Sequence, residues 1–141
     1  MEAFLGLAAQ APEWLIFDES LGRKAYLDVL NSSRVGLSLR LAGYEMGTTT
    51  FPSKVLEYAQ HGLLVLTTRA SDVPMLFGKE ALYLEEESAQ AFASLLVSLP
   101  RLRESLRNTA IRGRKRVLNA CAPEVVGQGI RRLLIRSDDG K

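Results

Sequence analysis

Ser53, Lys54 and Glu57 are the residues of this 141-residue chain whose types and spacing suggest chemistry. They lie in the stretch Gly47-Thr-Thr-Thr-Phe-Pro-Ser-Lys-Val-Leu-Glu-Tyr-Ala-Gln-His-Gly-Leu-Leu-Val-Leu66, where a loop of glycine and threonines runs into a helix start. The first backbone N–H groups of a helix lack intrahelical partners, and the helix dipole is positive there, so such a start attracts anions. Lys54, one turn in, adds a full positive charge. Glu57 follows three residues later and shares its side of the helix. A carboxylate at that place accepts two hydrogen bonds from a vicinal diol. A phosphate site beside a diol acceptor is what the pyrophosphate and ribose of a nucleotide require. The same spacing also describes an exposed helix ion pair worth ~0.2–0.5 kcal/mol, and spacing alone favours that plainer reading.

The elements around this stretch alternate. Residues 14–17, Trp-Leu-Ile-Phe, form a compact apolar run and read as a strand. A helix is expected over 22–32, then a strand over 34–39, where Val35, Leu37 and Leu39 alternate. The loop 40–51 follows. Pro52 suits a first helical position, because its missing N–H is not needed there and its φ is preset. The helix 52–61 puts Val55, Leu56 and Ala59 on one face, and Gly62 is a good stop. Residues 63–68 read as a buried strand, because four apolar residues in a row suit a parallel strand covered on both faces. A helical turn over 72–77, a strand over 81–84, and helices over 88–99, 100–118 and 123–135 complete the chain, with Ser88 as an N-cap. This is the rhythm of an α/β, Rossmann-like, doubly wound parallel sheet with C-terminal helices. Residues 1–136 form the domain and 137–141 a tail. Such sheets bind ligands outside the carboxyl ends of their strands, which is where the loop 40–51 begins.

The central stretch resembles the donor-binding motif of two-domain GT-B glycosyltransferases, closest to the retaining group 1 family. In that family a Phe-Pro-Ser-Lys-like run precedes a helix, then a glutamate, a glycine and an apolar strand. Phe51-Pro-Ser-Lys54, Glu57, Gly62 and Leu63 to Leu66 match in order. Looser similarity covers residues 13–135, and only 51–66 is specific. The resemblance implies that Glu57 holds the donor ribose hydroxyls. It implies that Ser53 and Lys54, with the loop around Thr49, Thr50 and Phe51, contact the pyrophosphate. The implied substrates are a nucleoside-diphosphate sugar and a glycan or lipid-linked acceptor, with transfer by retention. No catalytic nucleophile is assigned, and the resemblance implies that the leaving phosphate itself assists the incoming hydroxyl.

Two departures stand out. Thr49 occupies the place where many relatives carry a first glutamate toward the donor sugar, with Tyr44 and Glu45 nearby. The chain is also less than half the usual family length. It resembles part of the C-terminal donor-binding domain, without the acceptor domain and two opening strand–helix units. Taken alone it is expected to show no turnover. The alternative reading is a non-catalytic nucleotide- or phosphate-binding module.

Composition narrows the rest. With one cysteine, Cys121, there is no internal disulfide. One histidine, His61, and no Asp-x-Asp cluster before the loop give no basis for a metal, and no other cofactor is expected. No run reaches the ~18 apolar residues of a bilayer span, and no secretory signal is visible. The expected location is cytoplasmic, with peripheral attachment at the inner membrane surface as a variant. Residues 1–100 hold 7 Lys/Arg against 12 Asp/Glu, and residues 101–141 hold 11 against 4. The cationic end, from Arg101 to Arg136, reads as a solvated helix face with at most weak, salt-sensitive attraction to anionic membranes. Nucleic-acid binding has no supporting motif and no interleaved aromatics. His61 in a last helical turn suits the dipole, and Trp14 reads as core packing.

Overall fold

The computed structural model describes residues 20–40 and 50–138. The expected strand at 14–17, Trp14, and the loop residues Gly47, Thr48 and Thr49 lie outside them, as do Tyr44 and Glu45. The chain divides into two compact units, Met1–Asn31 and Ser32–Lys141. The described part of the first is nearly all one helix, α1 (Arg23–Ser32), with Leu30 buried.

The second unit is built on three parallel strands in the order β1-β2-β3: β1 (Val35–Ser38), β2 (Leu64–Thr67) and β3 (Leu82–Tyr83). The register pairs Val35 with Leu64 and Ser38 with Thr67, then Leu66 with Leu82. All four residues of β2 are buried, as an apolar run in a central parallel strand requires. The expected α/β parallel sheet is therefore present, and the strands expected at 34–39, 63–68 and 81–84 all belong to it.

Helix α2 (Lys54–Gln60) lies between β1 and β2 in the chain, and α3 (Val73–Phe77) lies between β2 and β3. Then come α4 (Ala89–Ser98), a 3-10 turn (Leu99–Leu102), α5 (Arg103–Ala120) and α6 (Pro123–Asp138). Helix α4 starts as expected: the Ser88 side chain accepts from Ala91 N at 3.1 Å, satisfying one first-turn donor. Several boundaries differ. Helix α2 opens at Lys54, two residues after the expected 52. A single helix was expected from Pro100, but Pro100 sits in the 3-10 turn and α5 opens at Arg103. Helix α6 runs three residues beyond the expected 135.

Val55 and Ala59 of α2, Val65 of β2, Val73 and Phe77 of α3, Val117 of α5, and Ala81 just before β3 form one core. Helices α2 and α5 both pack on the sheet and on each other. Two glycines permit this closeness. A Cβ at Gly36 would overlap the Tyr58 ring of α2, and one at Gly113 of α5 would stand 2.6 Å from the Glu80 carbonyl oxygen. Gly62 ends the α2 segment with φ +78°, a left-handed geometry that glycine adopts without a Cβ penalty.

Candidate functional site

The carboxyl ends of β1 and β2 are joined by side chains where the ladder stops. Thr67 Oγ1 donates to the Ser38 carbonyl at 2.9 Å, and Thr68 Oγ1 donates to the Arg40 carbonyl at 2.8 Å. Arg40 N donates back to Thr68 Oγ1 at 3.1 Å. Both threonines are essentially fully buried. A buried hydroxyl is costly unless bonded, so these two hold the departing chain in place.

With its backbone fixed, Arg40 sends its side chain to Thr50. Nη1 donates to the Thr50 carbonyl at 3.0 Å and to Thr50 Oγ1 at 2.6 Å. A guanidinium is thereby held two residues before Pro52, where the chain turns into α2. In the sequence Arg40 marks only the start of the loop expected after the strand 34–39. The available signal was a cation directly after an apolar-alternating strand, at the end of the sheet where ligands bind.

Helix α2 is oriented by its apolar side. Pro52, Val55 and Ala59 are buried, at spacings of three and four, so Ser53, Lys54 and Glu57 fall on the outward side. Val55 N donates to the Pro52 carbonyl at 3.0 Å in a turn ahead of the helix, so Pro52 stands before the N-cap Ser53 and not at the expected first helical position. Ser53 is exposed and its side chain makes no capping bond. Lys54 Nζ lies 2.8 Å from Glu57 Oε2, with the side chains 55% and 33% exposed. The two residues expected on one side of the helix share it, in direct contact with each other.

Phe51 is half-buried against the core and borders a cavity of about 610 Å³ that Asp72, Met75, Leu76, Arg116 and Asn119 also line. Lys54 and Glu57 do not line it. Arg116 closes one side, donating from Nε to the Leu76 carbonyl and from Nη2 to the Met75 carbonyl at 3.3 Å. Arg112, one turn earlier, pairs with Glu80 at 2.6 Å. These two members of the cationic end have protein partners, beyond the plain solvated face expected for residues 101–116.

A third cluster follows β2. Arg69 donates two bonds to Glu85 and lies 4.4 Å from the centroid of the Tyr83 ring. The hydrogen bond from Arg69 holds the Glu85 carboxyl below its usual range. Burial pushes the Tyr83 phenol up, against a smaller opposing effect of the Arg69 charge. His61 caps the end of α2, donating its backbone N–H to the Glu57 carbonyl at 3.1 Å, and Cys121 is exposed. Among the described residues no helix is long and apolar enough to cross a membrane.

Compared with known proteins, the chain matches one family model, described as glycosyl transferase-like, over residues 10–125. No curated protein and no solved structure matches it.

Proposed function

This chain belongs to the glycosyl transferase-like family, and we propose that it is the donor-binding portion of a retaining transferase that uses a nucleoside-diphosphate sugar. Glycosyl transfer needs a sugar donor and an acceptor. The proposed acceptor is a glycan or a lipid-linked sugar.

The observation that carries the reading is the pairing of Lys54 with Glu57 just after the Arg40–Thr50 contact, at the carboxyl end of a parallel sheet. Two cations and one carboxylate suit a ligand that is anionic at one end and a diol at the other. Lys54 takes the diphosphate as a compact charge, and Arg40 offers a planar fork of donors. Glu57 takes the two ribose hydroxyls. The helix pair itself is worth only ~0.2–0.5 kcal/mol, so a diphosphate, with more charge than one carboxylate, readily draws Lys54 from it.

In the transfer step negative charge builds on the departing diphosphate. Lys54 and Arg40 are placed to stabilise that charge, which is how fixed cations lower a barrier. The incoming hydroxyl gives its proton to the leaving phosphate. Glu57 orients the donor and moves no proton.

Titration calorimetry of the chain with uridine and guanosine diphosphates tests the reading. Binding of either, weakened by Lys54→Ala and by Glu57→Gln, is the expected result. Equal affinity of both variants and wild type leaves only a surface ion pair and ends the proposal.

A further inference from the structure

We propose that a second site, a groove at the amino end of the sheet, docks the chain on an anionic phospholipid surface. The groove encloses about 860 Å³ where the starts of β1 and β2 meet the first turns of α5. Lys54 and Glu57 belong to the opposite end of the strands, so this site is independent of the donor reading.

The rim carries four arginines, Arg34, Arg103, Arg107 and Arg114, all exposed. The ion pairs among the described residues join Lys54 to Glu57, Arg69 to Glu85 and Arg112 to Glu80. None involves these four. Glu104, the one acid between residues 101 and 116, pairs with none of them. Four arginines around one groove, none of them ion-paired among the described residues and with a single acid nearby, give a positive potential that attracts an anion from outside.

The floor is aliphatic. Leu64 and Ala110 are buried there, Leu106 is half-buried, and Ile111 at the lip is 57% exposed. Apolar exposure continues along the chain just before α5, at Val97 and Leu102. Exposed aliphatic side chains interleaved with cations are the pattern of a surface that sits at the boundary between headgroups and acyl chains.

The alternatives use only part of the groove. A free phosphate satisfies the arginines and leaves the aliphatic floor in water. A nucleic acid binds through its phosphates and by stacking bases on aromatic rings, and among the described residues no aromatic side chain lines the groove. A phospholipid headgroup with its acyl region beneath it meets both features.

Co-sedimentation with phosphatidylcholine vesicles, with and without phosphatidylglycerol, reads the site out at physiological ionic strength. Binding is expected only with phosphatidylglycerol. Arg107→Ala with Arg114→Ala is expected to weaken it roughly 25-fold, about fivefold for each arginine near an anionic surface. Ile111→Asn is expected to weaken it as well, with salt dependence unchanged. Arg131→Ala with Arg132→Ala removes the same charge from α6 and is expected to change it by no more than about twofold, as for screened distant charge. Every substituted side chain is exposed, and thermal melts confirm that each variant folds. The proposal is overturned by equal losses in the two double variants or by full binding of Ile111→Asn. Displacement by inorganic phosphate, preference for duplex RNA over vesicles, or failure of the wild type to bind phosphatidylglycerol also overturns it.

Discussion

Gly36 of β1 and Tyr58 of α2 are in contact across the sheet–helix interface, so closely that a Cβ on Gly36 would overlap the ring and stand 2.7 Å from the Tyr58 Cβ. The bare glycine backbone sets how near α2 comes to β1, and so where Lys54 and Glu57 are presented. Gly36→Ala is expected to destabilise the fold by about 1–3 kcal/mol, the usual cost of overpacking. Adding Tyr58→Ala is expected to recover only part of the loss, because the residue-58 Cβ remains in the way. Urea melts of the two single variants and the double variant measure this, and full recovery contradicts the geometry.

Lys54→Ala and Glu57→Gln are expected to leave different signatures. In the proposed site the lysine change removes a charge contact to phosphate, so diphosphates are expected to weaken and nucleosides to be nearly unaffected. A charge-assisted hydrogen bond is worth ~1.5–3 kcal/mol, or roughly a 10- to 150-fold loss. The glutamine keeps the shape but offers one acceptor oxygen instead of two. It is expected to weaken nucleosides and diphosphates alike, and a 2′,3′-dideoxy nucleotide is expected not to sense it. Calorimetry across the three ligand types separates the two patterns.

Arg40→Ala is expected to lower diphosphate affinity by roughly tenfold, within the range of a hydrogen bond to a charged group, while nucleoside binding holds. Thr50→Val, which removes the hydroxyl and keeps the carbonyl, is expected to cost less. If Thr50→Val costs as much as Arg40→Ala, the guanidinium serves only to hold Thr50 in place. The same calorimetry, with both variants titrated in parallel, decides between them.

Tyr83 carries a buried hydroxyl with no hydrogen-bond partner among the described residues. An unsatisfied buried hydroxyl costs about 1–3 kcal/mol, so Tyr83→Phe is expected to leave stability unchanged or raise it by about 1 kcal/mol at neutral pH. Burial raises the phenol's folded pKa above its ordinary value of 10.0. Above that value the folded state retains a proton that the unfolded state releases, so stability falls as pH rises through the window from the ordinary to the folded value. The phenylalanine variant is expected to lose that alkaline slope. Denaturant midpoints at neutral and alkaline pH, compared between the two proteins, test both statements.

Local signals were legible in the sequence and distant ones were not. Leu63 to Leu66 read as a buried parallel strand because burial on both faces leaves a continuous apolar run. Gly62 and Ser88 read correctly because a helix stop and an N-cap depend on a few neighbouring backbone groups. Lys54 and Glu57 read as neighbours because three residues is nearly one helical turn. The Arg40–Thr68 bonds join residues 28 apart, and Arg116 reaches a carbonyl 40 residues earlier. No periodicity reports such pairs, since they arise only once the strands are in register. Gly113 gave no signal either: a glycine inside a helix ordinarily costs stability, and its value appears only where α5 meets the Glu80 carbonyl. The split at Pro100 turned on whether a proline opens an α-helix or a 3-10 turn, which the same local pattern permits both ways.

The Arg40–Thr50 contact has a consequence for how substitutions travel. Thr68 holds the Arg40 backbone from both its N–H and its carbonyl, and the Arg40 side chain holds Thr50. Three residues far apart in sequence therefore act as one relay, from the end of β2 to the backbone just ahead of Pro52. A change at Thr68, a buried residue with no place on the surface, is thereby passed on to the approach of helix α2.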